Sequence, residues 1–594
     1  MRDFVENSKN KTDLSLIKRI FSFLKGNKKK LIIAIAFTLL LVGINLLPPL
    51  ILAYTVGLTA STEYSFNQKV IFIIIMILVY ALVIVIAHLT VYKQNMILQI
   101  MGQDIVFDLR AKIFSHIEIL GIGQFNTVPV GKLMTRVCND SNAIAEMYST
   151  VAVQLVSNFL TLLATFVLLL VLSWKLTLLV IATIPLAIAA TFLFRYCVKN
   201  NFRQMRNNVS EINAFLSENL HGMKVTQIFH QEQKQIEAFK KTNKAIKRNW
   251  NIQILCFAIY RPVIYAITMS GVLLAIYFGA NIAWVAISGV MLIAYQQYIR
   301  RFYDPLEQLS EQFNTIQDSF SSAEKIFDVL DTEPEIFDSE ECIELQEFNG
   351  NIEFRNVWFY YNKDEWVLKD VSFTISKGET VAFVGSTGSG KSTILNLIVR
   401  NYDVIKGEIF LDGISIKKLK IESIRRQIGQ MLQDVFLFTG TIYDNITLKD
   451  KNISKSKVIE SSKYVGADTF IDILPDKYDT LVIERGANFS TGQRQLLSFA
   501  RALCYNPSLM ILDEATASID AESEELIQES LKKMSKISTM IIVAHRISTI
   551  QHSDKIFVIK KGEIIERGNH QELLKLGGTY YNLYMLQYEE KKNS

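Results

Sequence analysis

A glycine-rich run, Gly385-Ser386-Thr387-Gly388-Ser389-Gly390-Lys391-Ser392, is the sharpest chemical signal in the sequence. It follows a strand-like stretch, ETVAFV, and opens onto a helix-like one, TILNLIVR, that begins at Thr393. A phosphate-binding loop requires this context. Glycines let backbone N–H groups close on phosphate oxygens, and the helix N-terminus behind them adds a favourable dipole. Lys391 supplies positive charge to β- and γ-phosphates, while Ser392 offers an oxygen to Mg²⁺. Alone, the run says "nucleotide" and nothing finer.

Two further constellations narrow it. Ser508-Leu509-Met510-Ile511-Leu512-Asp513-Glu514 reads as a buried strand ending in two carboxylates. In isolation such a pair is a helix cap. Some 120 residues after a phosphate loop, Asp513 suits the Mg²⁺ shell, and Glu514 suits a general base polarising the attacking water. The third constellation, Ala487-Asn488-Phe489-Ser490-Thr491-Gly492-Gln493-Arg494-Gln495, opens a helix, QLLSFARAL. It resembles the signature of ATP-binding-cassette (ABC) proteins, whose usual form is Leu-Ser-Gly-Gly-Gln.

The resemblance to ABC exporters runs from about residue 15 to 585. It implies that Tyr361 stacks on adenine and that Gln433 faces Mg²⁺ and the membrane domain. It also covers Glu484-Arg485-Gly486 before the signature and Ser518-Ile519-Asp520 after the acidic pair. His545, after the strand TMIIVA, is implied to contact the γ-phosphate. Ser490, Thr491, Gly492 and Gln493 would close on a partner's ATP across a head-to-tail dimer. Two positions depart from the pattern: Phe489 replaces leucine and Thr491 replaces the first glycine. A β-carbon at Thr491 hinders close backbone approach to a phosphate. A heterodimer resolves this, because a partner with a standard signature serves this chain's phosphate loop. The match is to the half of bacterial heterodimeric multidrug exporters that keeps its catalytic glutamate.

The elements that position these residues divide the 594-residue chain unevenly. Half of it is hydrophobic, with long uncharged runs crowded into the first half. Runs at roughly 31–55, 70–92, 152–173, 174–197, 253–277 and 281–300 reach the ~20 residues needed to cross a ~30 Å hydrocarbon layer as helices. Runs three and four meet at Ser173-Trp174-Lys175, which predicts a tight hairpin. Basic residues gather before run one and between runs four and five, placing both termini in the cytoplasm. The loops 93–151 and 198–252 carry helical stripes. Their turns, Gly123-Gln124-Phe125-Asn126 and Gly222-Met223-Lys224-Val225, resemble the family's coupling helices. Leu109, Arg110, Phe114, His116, Leu120, Phe125, Gly131, Leu133, Arg136 and Asp140 spell the family's first cytoplasmic loop.

The expected architecture is a six-span α-helical membrane domain of exporter type fused to an α/β P-loop ATP-binding cassette. The boundaries are a basic N-terminal segment at 1–30, a transmembrane domain at 31–322, a linker at 323–350 and a nucleotide-binding domain at 351–594. Arg261, inside run five, either snorkels to headgroups or is functional. Pro48-Pro49 reads as a packed kink. Tyr295, Gln296, Gln297 and Tyr298 could line a cavity or form a helix interface.

A net charge of +5 is small for this length and does not suggest a nucleic-acid binder. Five dispersed cysteines read as reduced thiols. No signal peptide is evident. The resemblance implies ATP and Mg²⁺ as cofactors, a second ABC half and the bilayer as partners, and export of amphipathic drugs or lipids across a bacterial cytoplasmic membrane. A homodimeric lipid flippase and a non-transporting regulatory ATPase are the alternatives.

Overall fold

The computed structural model describes residues 13–281, 288–363, 365–513, 521–543 and 550–593. The chain forms two compact units: one of Ser8–Ser115 with Gly131–Asp331, the other of His116–Val130 with Thr332–Ser594.

The first unit is helical. Four of its helical stretches, Lys18–Ala60, Phe66–Ile119, Val130–Ile181 and Glu232–Gly279, are long and apolar enough to cross a membrane. Their outward residues, among them Ile71, Ile77, Leu78 and Leu82, are exposed, as a lipid-facing surface requires. The other two expected spans fall on Ile184–His221 and Gly289–Leu330. Run four is broken at Ala182 and Thr183, just ahead of Pro185, so neither piece is apolar over a full span. Run six starts at Gly289 instead of 281, and 282–287 lie outside the described residues. Where a hairpin is expected the helix is kinked at Ser173, extended at φ −166° and ψ 103° between helical neighbours.

Run one is two helices, Lys28–Asn45 and Leu47–Ala60, parted at Leu46. Pro49 has no N–H, so the carbonyl of Asn45 loses its donor one turn on. The Arg301 guanidinium donates to that carbonyl, and the Tyr298 hydroxyl donates to Leu46 O at 2.5 Å. Tyr295 pairs its hydroxyl with Thr177 Oγ1 at 3.0 Å. Both tyrosines are fully buried. They belong to a helix interface; Gln296 and Gln297 beside them are half-buried. Arg261 is exposed, its guanidinium 6.0 Å from the Phe257 ring centroid.

Among its described residues the second unit carries three sheets. Strands β1 (Ile352–Tyr360), β2 (Trp366–Ile375), β3 (Thr380–Val384), β4 (Lys406–Leu411), β5 (Ile414–Ser415) and β6 (Ile428–Met431) precede the signature. So do the short pair β7 (Gly440–Thr441) and β8 (Leu481–Val482). After it come β9 (Leu509–Asp513), β10 (Thr539–Val543), β11 (Lys555–Lys560) and β12 (Glu563–Gly568). The main sheet runs β12-β11-β3-β10-β9-β6, parallel except at the β12 edge. An antiparallel sheet, β2-β1-β4-β5, shares a core with one face through Phe354, Phe373, Phe383 and Phe557. The other core gathers the helix Thr491–Cys504 against Met510, Leu512 and Ile542. Continuous apolar strands such as TMIIV and LMILD are what burial on both faces of a parallel sheet demands.

Candidate active site

Register places the chemistry at one edge. In the parallel sheet Val543 pairs with both Phe383 and Asp513, so β3, β10 and β9 end side by side. Ligands of open α/β sheets bind outside these carboxyl ends. The phosphate loop leaves β3 there and enters the helix Lys391–Ile398. At Gly385 a β-carbon would lie 2.2 Å from the Ile559 carbonyl oxygen and 2.7 Å from Ser389 Oγ. Gly390 has φ +110°, and a β-carbon there would meet Leu368 at 2.7 Å. Gly388, at φ +78°, faces open space.

Lys391 is buried and its ammonium donates to the carbonyls of Gly385 (2.8 Å) and Ser386 (3.0 Å). The loop is thereby held in a ring. Among the described residues Ser389 Oγ is buried with no hydrogen-bond partner, a polar group that a phosphate oxygen would satisfy. Ser392 Oγ donates to Asp513 Oδ1 across 3.4 Å, which brings the two expected Mg²⁺ ligands together. Among the described residues no cluster of three His, Cys, Asp or Glu could hold a metal. Mg²⁺ does not need one, since it keeps most of its waters.

Tyr361 is 46% exposed, as a stacking platform must be, and its hydroxyl lies 3.1 Å from Thr393 Oγ1. Its ring sits edge-on to Phe359 (5.0 Å) and Tyr402 (5.2 Å). Burial pushes the Tyr402 phenol up; Tyr361 adds to this and a hydrogen bond with Asn126 opposes it.

Ser490 caps the signature helix by accepting from Gln493 N at 3.2 Å, while Gln493 Oε1 accepts from Ser490 N at 2.9 Å. Arg494 donates to the carbonyls of Gly486 (3.3 Å) and Phe489 (3.2 Å) and to Thr491 Oγ1 (3.2 Å). Phe489 is a core residue, 6.2 Å from the Phe470 ring. Its departure from leucine is thus a packing choice. Thr491 is exposed. Together with Gln433, Glu484, Arg485 and Arg494 it lines a cleft of ≈ 330 Å³. Gly492 is buried at the helix start.

The first predicted turn forms the helix Ile122–Thr127 in the same unit. Gln124 is buried; its Nε2 donates to Glu333 O at 2.8 Å, and its Oε1 accepts from Glu335 N (3.1 Å) and Gly121 N (3.0 Å). A β-carbon on Gly123 would lie 2.6 Å from Tyr402 Cε1. His116 Nε2 donates to Thr332 O at 2.9 Å. The second turn, Met223–Ile228, is a separate short helix with no buried residue.

Glu514, Asp520 and His545 lie outside the described residues. So does Ser518-Ile519.

Residues 31–303 match the ABC transporter transmembrane region, and residues 368–517 match the ABC transporter ATPase family. The ABC transporter ATP-binding protein exp8 of Streptococcus pneumoniae is 37% identical over 576 residues, covering 96% of this chain and 97% of that protein. The chain belongs to the ABC exporters. A Bacillus subtilis relative bearing a multidrug export ATP-binding/permease name, YgaD, is 34% identical over 97% of this chain and all of its own length. An ATP-dependent lipid A-core flippase of Syntrophus aciditrophicus is 34% identical, over 84% of this chain and 83% of its own. The solved structure of a bacterial Atm1-family ABC exporter with ATP bound superposes with a TM-score of 0.78 at 25% identity, covering 94% of this chain and 98% of that one. This exporter is therefore a multi-pass membrane ATPase whose hydrolysis is coupled to transport. Fused half-transporters of this family work as dimers, and the coupling of the ATPase to transport leaves the non-transporting alternative aside.

Three contributions escaped the sequence reading. Arg494 sits inside the quoted signature, yet its role depends on carbonyls at Gly486 and Phe489. Gln124 lies in the quoted turn, yet two of its three partners are about 200 positions away. The orphaned Asn45 carbonyl was signalled by Pro49; that Arg301 answers it was not.

Proposed function

We propose that this exporter half pairs with a different ABC half and moves amphipathic drugs or lipids outward across a bacterial cytoplasmic membrane, both termini cytoplasmic. The observation that carries the asymmetric pair is Thr491, a β-branched residue where the family signature has glycine, beside a complete phosphate loop. The exposed β-carbon stands where a partner's γ-phosphate must approach the backbone. This chain's own ATP, met by a partner's standard signature, suffers no such hindrance.

Tyr361 stacks on adenine, and the N–H groups of Gly385 to Thr393 with the Lys391 ammonium hold the phosphates. Ser389 finds the partner it lacks. Mg²⁺, held by Ser392, Gln433 and Asp513, supplies charge neutralisation at the phosphates. Glu514 takes the proton of the attacking water, His545 steadies the γ-phosphate, and Asp520 lines the same site. Ser490, Thr491, Gly492 and Gln493 serve the second site, which turns over slowly or only holds nucleotide. The exposed apolar side chains Met223, Val225 and Ile228 on the second turn, and Leu432, Phe436 and Phe438 beside Gln433, support exchange of docking surfaces between two halves. The domain limits that go with this are 31–322 for the membrane part, 323–350 for the linker and 351–594 for the motor.

Affinity purification of the tagged chain from its own cells tests the pairing. A second ABC half with an intact Leu-Ser-Gly-Gly-Gln at equal stoichiometry supports it; a fully active homodimer sinks it. The likeness to a lipid A-core flippase favours one second reading, a homodimeric lipid flippase. Stimulation of the purified ATPase by phospholipids but not by drugs would select that reading.

A further inference from the structure

The helix Glu232–Asn281 enters its apolar part through the segment KKTNKAIKRNWNIQIL. From 238 to 255 there is no acidic residue. Lys241, Ala245, Arg248, Ile252 and Leu255 are spaced by four and three, which puts them on one helix face. With Lys244, Lys247 and Asn251 they line a groove of ≈ 820 Å³.

Four basic groups elsewhere in this unit have a carboxylate partner. Arg19 pairs with Asp331, Lys30 with Asp104, Arg136 with Asp140 and Arg206 with Asp318. Lys241, Lys244, Lys247 and Arg248 are exposed and have no ion pair among the described residues. A topological signal needs positive charge only near the span. It does not need that charge confined to a groove that continues as an apolar stripe.

The order along the groove is informative. At 1.5 Å per residue it runs about 21 Å from Lys241 to Leu255. Run five begins near 253, so Arg248 lies about 7 Å and Lys241 about 18 Å on the water side of the hydrocarbon edge. The cations occupy the half nearer the water and Ile252 and Leu255 the half nearer the hydrocarbon. We propose that this groove binds an anionic phospholipid of the adjoining leaflet, its phosphate held by Lys241, Lys244, Lys247 and Arg248 and its acyl chain laid along Ile252 and Leu255. The site depends only on the membrane placement of the chain. It is independent of how the halves pair and of what is exported.

Trp250, 46% exposed within the segment, is a built-in reporter. The full-length protein is placed without nucleotide in nanodiscs of phosphatidylcholine containing phosphatidylglycerol, with one lipid or the other brominated in its acyl chain. The Trp250 signal is the difference between the protein and its Trp250→Phe variant. At equal mole fraction, brominated phosphatidylglycerol is expected to quench at least about twofold more than brominated phosphatidylcholine, because surface cations attract anionic lipid. Gln at all four basic positions is expected to remove the preference. About 1 M salt is expected to collapse it in the unaltered protein, a check that needs no variant to fold. Equal quenching by the two lipids overturns the proposal, as does a preference that survives both the substitutions and the salt. Loss of the preference in millimolar inorganic phosphate at constant ionic strength also overturns it, since the groove would then be a free-anion site.

Discussion

Gln124→Ala should loosen the first turn from its support. The side chain makes two bonds to the 333–335 segment and one within the turn. Each is worth about 1 kcal/mol net. A buried orphan would cost more, but Glu333 and Glu335 are exposed, so water can replace the amide at their backbone groups. The low end therefore applies: about 2 kcal/mol for the two bonds that join the segments, or roughly 30-fold in the docked-to-undocked ratio. Hydrogen–deuterium exchange at residues 121–128 reads this directly, with exchange accelerated by about that factor. Gln124→Glu keeps an acceptor for Gly121 N and Glu335 N but loses the donor to Glu333 O, so it should fall between. Protection within about twofold of the parent for Gln124→Ala would refute the reasoning, whatever happened to transport.

Gly385→Ala should weaken ATP binding by more than about tenfold, because the new β-carbon meets the Ile559 backbone oxygen at 2.2 Å and backbone cannot step aside; titration with a fluorescent ATP analogue measures it. Arg494→Ala frees two carbonyls and the Thr491 hydroxyl; the three bonds are long, at 3.2–3.3 Å, and Arg494 is half-buried, so each is worth about 1 kcal/mol and not the roughly 1.5–3 of a short charged bond. Thermal unfolding should show a loss of about 2–3 kcal/mol in the motor unit. Burial lowers the pKa of His570 below its ordinary 6.5, and His552 adds to this. The folded state therefore resists protonation that the unfolded chain accepts. Stability is full above the ordinary value and declines as pH falls through it toward the folded pKa. His570→Gln should flatten that decline in melting curves between pH 7 and 5; an unchanged slope would assign it to other groups.

How far the sequence could be read depended on where each residue's partners lie. The phosphate loop was legible because its glycines are demanded by local backbone geometry: Gly385 and Gly390 cannot carry a side chain where they sit. The break at Ser173 was legible for a similarly local reason, as two apolar runs abutted there with no residues to spare. Tyr295 and Tyr298 were not decidable, since an aromatic hydroxyl suits a wet cavity and a buried bond equally. Thr177 and the Leu46 carbonyl settle that from other helices. The interruption of run four was not legible because hydropathy does not register the helix break at Ala182 and Thr183 ahead of Pro185. Phe489 looked like erosion of a motif until the Phe470 ring beside it supplied a packing reason. Thr491 retains its functional weight: it is exposed, and its hydroxyl is already engaged by Arg494.

In the proposed half-transporter this chain's own phosphate loop is served by Glu514 and by a partner's signature. The decisive measurement is ATP hydrolysis by the purified chain, alone and with its co-purified half, in native form and as Glu514→Gln. Turnover is expected only in the pair, abolished by the substitution. Robust turnover by the chain alone would show that Thr491 is tolerated in both sites of a homodimer and would contradict the asymmetry.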